Sequence, residues 1–466
     1  MPRAGWVKPE SDQRLSDHVA LGVLTRTFPP GLVDAVLAET GRTEQRSRLL
    51  PARLMVYYVM GLALFSSSSY EEVMRNLVEG LAWASGWAKA WSVPSKSAIF
   101  QARRRLGVEP LQVLFERGCV PLGTPATPGG FYRRWRLVAI DGTTLDVADT
   151  AANDEAFGRP GASRGSSAFP QVRLVGLAEC GTHAIFGAAI GPYGDAEQSL
   201  ARGLLGGLGP GMLCLADRGF AGVPLFDAAQ ATGADLLWRA KSNAVLPVLE
   251  RFDDGSFRSE IVATPDKRTR TNVLTVRVIE YTIEDPGRPD TPERYRLITT
   301  ILDPAAAPAE ELAALYAERW EIETALGEVK THQRGPRVVL RSKTPDGVRQ
   351  EVYGYLCTHY AIRALMATAA DDADVDPDRI SFTRTLHAAR RSTRAGLGTT
   401  DHNLTIALGD TIAEILHELL PLRRLRTAAR VVKRKMSNYG VKRAEHRNTP
   451  RPTLRPHDAV HVLAPP

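Results

Sequence analysis

The chain has 466 residues, 44% of them hydrophobic and 24% charged, the composition of an ordinary soluble protein long enough for roughly two to four domains with sizeable cores. Its longest apolar stretch, Leu54 to Phe65, is too short for a bilayer and carries Tyr57, Tyr58 and Gly61; residues 1–6 show no signal-peptide pattern; and Cys119, Cys180, Cys214 and Cys357 lie far apart. A membrane span, a zinc site and a disulfide framework are therefore disfavoured, and a reducing cytoplasm fits. The net charge of +7 is concentrated, since Pro421 to His457 holds twelve Lys or Arg and one acid, Glu445, which leaves 47 basic and 51 acidic residues elsewhere.

Residues 1–125 read as a helical N-terminal domain for DNA binding. Apolar positions recur at helical spacing through Val19–Leu37, Leu54–Phe65 and Val73–Leu81, with Pro29-Pro30 and Ser66–Ser69 as connections. Pro94 and Ser95 open a short basic helix carrying Arg103, Arg104 and Arg105, which Gly107 stops. It suits the recognition helix of a helix-turn-helix, with packing of a helical domain as the alternative. Trp83, Trp87 and Trp91 recur every four positions, as core residues of a helix do, and carry no functional assignment.

Residues 130–241 alternate strands and helices. Strands are expected up to Asp141, at Gln171–Leu177, Ala184–Ile190, up to Asp217 and at Asp235–Arg239, with helices near Gln198–Leu208 and after Gly222: an α/β domain. Ala151–Phe169, rich in Gly, Ser and Arg, is expected to be a mobile loop, where Arg159, Arg164 and, just beyond, Arg173 either touch DNA or are solvated. Between Asp217 and the later Glu323 lie 105 residues, more than one crossover needs, and 242–304 alternates apolar and polar residues as an antiparallel β insertion does. Residues 305–370 bring a further helical part, including Val348–Ala369, and 371–466 a helical, basic C-terminal region and tail. There Arg423, Arg424, Arg426, Arg430, Lys433, Arg434 and Lys435 suit a phosphate-binding surface, and Pro450, Pro452 and Pro456 point to disorder near the end.

The stretch Tyr316 to Lys330 carries the densest chemistry. At about 100° per residue, Tyr316, Arg319, Glu323 and Lys330 share an arc of roughly 60°, while Glu318, Glu321 and Glu328 face elsewhere. Geometry thus selects Glu323 as the carboxylate flanked by two cations and a phenol, against the plain alternative of a solvated helix with an Arg319–Glu323 pair. Upstream, Leu137-Val-Ala-Ile140 runs into Asp141-Gly142 and Met212-Leu-Cys-Leu-Ala216 into Asp217-Arg218-Gly219. An acid closing a buried strand is costly without a partner. A metal ion offsets that cost, and the nearby glycine gives the backbone room. Two such aspartates and one glutamate make an all-oxygen site that hard octahedral cations prefer, suited to phosphoryl transfer with two metal ions.

On these residues the chain resembles the cut-and-paste DDE transposases of the insertion-sequence-four family. Ala139-Ile-Asp-Gly-Thr-Thr144 surrounds the first acid, Leu215-Ala-Asp-Arg-Gly-Phe220 the second, and the Y-(2)-R-(3)-E-(6)-K signature the third. The resemblance implies a ribonuclease-H-like core, interrupted by the β insertion, in which Asp141, Asp217 and Glu323 hold two Mg²⁺, with Mn²⁺ able to substitute. It also implies phosphate contacts from Arg319, Lys330 and Tyr316, and an aromatic, here Tyr295, that stacks on a flipped base. A homodimer on paired terminal inverted repeats, target DNA as second substrate, a hairpin intermediate and a site of action at the bacterial nucleoid complete the expectation. The rival classes are a structure-specific nuclease of the same fold and a catalytically silent DNA-binding protein.

Overall fold

A computed structural model of the protein describes residues 22–44, 50–84, 94–162, 165–262, 273–283, 294–335, 339–394, 401–421, 431–432, 440–444 and 459–465. The chain divides into two units: Met1–Tyr132 with Asp141–Gly207 and Glu321–Leu420, and Arg133–Ile140 with Leu208–Trp320 and Pro421–Pro466. Together they form a mixed α/β protein. No helix among the described residues is long and apolar enough to cross a membrane.

The first unit is built around two largely buried helices. Ala52–Leu64 is buried from Leu54 to Leu64, as a helix that is hydrophobic all round must be. It packs against the long helix Pro345–Ala373, where Gly354 permits the close approach: a Cβ there would lie 2.9 Å from the Val59 carbonyl oxygen. Thr358 Oγ1 donates to the Met60 carbonyl at 3.1 Å and ties the pair. The basic helix Lys96–Leu106 forms as expected, with Ser95 accepting from the Ala98 N–H and Gly107 leaving at φ 74°. Trp83 lies in the helix Tyr70–Ala84, while Trp87 and Trp91 lie outside the described residues.

This unit also holds the antiparallel pair Gln171–Glu179 and Ile185–Pro192. The short strand Val339–Leu340 pairs in parallel with Asp146–Val147. Part of the expected Ala151–Phe169 loop is helical instead. Ala151–Phe157 is capped by Thr150 and closed by Gly158 at φ 74°, and Arg159 is fixed by ion pairs to Asp149 and Asp154. Arg164 lies outside the described residues.

In the second unit Arg136–Ile140 pairs in parallel with Met212–Ala216, which pairs in parallel with Asp235–Arg239. Arg294–Thr299 then adds antiparallel to Asp235–Arg239, followed by Val273–Ile283, Phe257–Val262 and Glu250–Arg251, each antiparallel to the last. The β-rich segment therefore continues the same sheet. Period-two patterning reports strand and face but not which sheet a strand joins. Near the chain end Val460–Val462 pairs with Tyr281–Ile283, because two Val flanking one polar residue suit a pleated surface; Pro450, Pro452 and Pro456, on which the expected disorder rests, lie outside the described residues. The basic run Arg423 to Lys435 lies outside the described residues, apart from a short Val431–Val432 strand.

Candidate active site

Asp141 sits within the strand Trp135–Val147 rather than at its end. The apolar run stops at Ile140, but the backbone stays extended because both flanks find new pairing. The Asp141 side chain is half-buried and accepts the Gly142 N–H at 2.8 Å. Gly142 has a second reason to lack a side chain, since a Cβ there would stand 2.9 Å from Glu197 Oε1. Glu197, which sequence reasoning passed over, thus lies against Gly142, the residue after Asp141. It is ion-paired to Arg173 at 2.7 Å, and Arg173 also donates to the Tyr193 carbonyl. Arg173 is therefore engaged within the fold rather than solvated. Two residues past Asp141, Thr143 Oγ1 accepts from Lys330 Nζ at 3.3 Å, which brings the signature lysine to the strand of the first acid.

Asp217 leaves the end of Met212–Ala216, as the sequence predicts, and is half-buried. Its Oδ1 accepts the Gly219 N–H at 2.7 Å, and a Cβ on Gly219 would reach that oxygen at 2.9 Å. Both aspartates are thus oriented by the N–H of a nearby glycine. The residues that precede them, Ile140 and Ala216, are register partners in the parallel pairing.

Tyr316 is buried and donates its hydroxyl proton to the Ala216 carbonyl at 3.0 Å. That proton bonds the end of the strand carrying Asp217. Arg319 stacks over Tyr316 and Trp320, its guanidinium carbon 5.9 and 4.8 Å from their ring centroids. Glu323 lies half-buried in the helix Trp320–Gly327.

The regular wheel assumed for this stretch is corrected by the backbone. Tyr316–Arg319 is a 3₁₀ turn, Trp320–Gly327 an α-helix and Glu328–Gln333 a π-helix. A single 100° step cannot describe three helical periods. Glu321 and Glu328 are buried, while Glu318 and Glu323 are both half-buried.

Two further expectations fare differently. Tyr295 pairs across the sheet with Tyr281, ring centroids 5.2 Å apart, and Arg239 lies 4.4 Å from its ring centroid. Its aromatic surface is used in cross-strand packing. Arg103 is 7% exposed and donates to Gln350, Ser342 and the Gly347 carbonyl, so it holds its helix to the long helix, leaving Arg104 and Arg105 exposed.

Residues 18–116 match the N-terminal domain of insertion element 4 transposases, and residues 134–360 match the transposase DDE domain. The chain is 29% identical over 417 residues to transposase InsG for insertion sequence element IS4 of Escherichia coli K12, covering 88% of this chain and 91% of that protein. The chain belongs to the insertion-sequence-four family of DDE transposases. It is also 24% identical over 239 residues, 51% of this chain and 77% of the other, to the E. coli K12 protein named "Putative transposase InsZ". As an insertion-sequence transposase the protein is an enzyme, from a family that binds the DNA ends of its element and works with divalent metal ions.

For this transposase, Tyr316→Phe is expected to cost about 1–3 kcal/mol, because the Ala216 carbonyl is left without its buried donor. Urea unfolding of the full chain checks it. A change under roughly 0.5 kcal/mol would mean that the hydroxyl does not hold the strand end.

Proposed function

We propose that Asp141, Asp217 and Glu323 are the metal-holding triad of this transposase, in a ribonuclease-H-like core, and that they cut the element ends and join them to target DNA. The observation that carries the reading is the placement of the two aspartates directly after register partners Ile140 and Ala216, each carboxylate held by a glycine N–H. The donor set fits Mg²⁺: it is oxygen only, and the carboxylates are half-buried, so a cation can keep waters and substrate oxygens in its shell. Asp141, Asp217 and Glu323 would hold such ions, whose chemistry would be to lower the pKa of an attacking water and to stabilise a departing 3′-oxygen.

The chain's own groups supply the rest. Lys330 and Arg319 offset phosphate charge. Tyr316 keeps the Asp217 strand end in place, and Arg104 and Arg105 are exposed and open to the DNA backbone. The freed 3′-hydroxyl then attacks the opposite strand to give a hairpinned end, which is reopened and transferred to target DNA. If Tyr295 stacks on a flipped base, it first leaves Tyr281. The functional form in this reading is a homodimer on paired inverted repeats in the bacterial cytoplasm, at the nucleoid.

The test is excision from a plasmid carrying the DNA that flanks the gene. Double-strand cleavage at the ends with Mg²⁺ and none with EDTA is the expected outcome. Binding to the ends without metal-dependent cutting would instead assign a silenced DNA-binding protein.

A further inference from the structure

Glu321 and Glu328 flank Glu323 along the chain and are 6% and 5% exposed, a costly burial unless each carboxylate is bonded. Glu328 is held by Arg363, whose Nε donates at 2.9 Å and whose Nη2 makes a second, shorter contact, and by His359 Nε2 at 3.0 Å. Burial raises the Glu328 pKa, but Arg363 and His359 more than reverse this and hold it down at about 2. Arg363 Nη2 also lies 2.5 Å from His183 Nδ1.

A guanidinium has no acceptor, so Nδ1 must accept and the imidazole proton sits on Nε2. Nε2 makes ion-pair contacts with Glu321 Oε2 at 2.5 Å and Asp378 Oδ1 at 3.0 Å. His183 itself stands at φ 58°, a left-handed conformation uncommon outside glycine and kept only where the surroundings impose it.

The three groups His183, Glu321 and Asp378 have donor atoms within 4.8 Å of one another, the spacing of a cation site. Ligation would need the Nε2 lone pair and would push the imidazole proton to Nδ1, against the Arg363 N–H. The cluster thus joins His183 to Glu321 and Asp378 by buried ion-pair contacts.

We infer that the buried chain Glu328–Arg363–His183–Glu321 positions Glu323. The inference rests on the reading of Glu323 as a metal-holding acid. The segment around Glu323 passes from 3₁₀ through α to π within 316–333, so no single backbone ladder fixes its pitch. Two buried side chains, one before and one after Glu323, fix it instead. Metal constellations need placement within about 0.5 Å, set by such supporting contacts, and partners outside the ligands contribute about 10–100-fold to metal affinity or activity.

The test uses the full chain with its element ends and three readouts: end affinity in EDTA, single-turnover cleavage, and Mn²⁺ affinity by electron paramagnetic resonance. Arg363→Met and His183→Leu are expected to weaken Mn²⁺ binding and slow cleavage by about 10–100-fold, with end affinity unchanged. His183→Gln, which offers one acceptor and one donor as the neutral imidazole does, should restore both to near the wild-type value. Arg363→Lys retains charge opposite Glu328 without the fork that also reaches His183, and should show the same defect in smaller degree; it decides the matter if the apolar variants do not fold. Folded variants with wild-type Mn²⁺ affinity and cleavage would overturn the inference. Glu323→Gln separates the two claims. If it too leaves Mn²⁺ affinity intact, the reading of Glu323 itself has failed; if it alone abolishes binding, only the positioning role has.

Discussion

Glu323→Gln is expected to remove metal-dependent cleavage while leaving binding to the element ends intact. Glutamine keeps the length and one acceptor oxygen but loses the charge that opposes a divalent cation. Losing contacts one step removed from a metal costs about 10–100-fold, so losing a ligand's charge should cost more than about 100-fold. The fold should not suffer. Glu323 is half-buried on its helix, whereas its neighbours Glu321 and Glu328 are packed inside among Arg363, His183 and His359. Plasmid cleavage with Mg²⁺ and with Mn²⁺, set beside a gel-shift assay in EDTA, measures both arms. Cleavage within about threefold of the wild type would move the third carboxylate elsewhere, with Glu318 the nearest alternative in sequence.

What the sequence reading could find was set by local pattern. The strand Asp235–Arg239, the cap at Ser95 and the stop at Gly107 followed from period and end chemistry, and all three are observed. The helical wheel did not describe the signature stretch, because its pitch changes from 3₁₀ through α to π along 316–333, and no local pattern announces such a change. Partners distant in sequence were invisible. Nothing local says that Arg103 will meet Gln350 or that Tyr316 will meet Ala216. For the same reason Glu197 was passed over: its closeness to Gly142 depends on how separate elements pack. The helix Ala151–Phe157 had a readable signal in Thr150 and Gly158, and glycine and serine richness further along hid it.

The second large effect is expected at Asp254, far from any acid of the triad in sequence. Arg277 is fully buried on the central strand of the β-rich segment, and its Nη2 pairs with Asp254. Its Nε donates to Ser256 Oγ at 2.7 Å and its Nη1 to the Ala307 carbonyl at 2.7 Å. Asp254 Oδ2 accepts the Ala309 N–H at 2.9 Å, at the start of the helix Ala309–Leu315. That helix runs directly into Tyr316 and Arg319. The β-rich segment is thus bonded to the beginning of the signature stretch.

Asp254→Ala leaves a buried guanidinium without its counter-charge, a defect worth about 3–5 kcal/mol. Partial exposure of Asp254 places the expectation at the low end of that range. Urea unfolding should show the loss, and cleavage should fall with it. Adding Arg277→Met should recover part of the stability, since an apolar pair of similar volume costs less than one stranded charge.

The pH dependence has a definite sign. Burial raises the Asp254 pKa, but hydrogen bonds from Ser256, the Arg277 guanidinium and the Ala309 N–H together hold it below its ordinary 3.8. Its contribution is then fully present above that value and is lost as pH falls toward the lowered one. The gap in stability between wild type and Asp254→Ala should therefore be constant near neutrality and narrow in acid. A gap under about 0.5 kcal/mol at neutral pH would show that the segment does not anchor the signature helix through this pair.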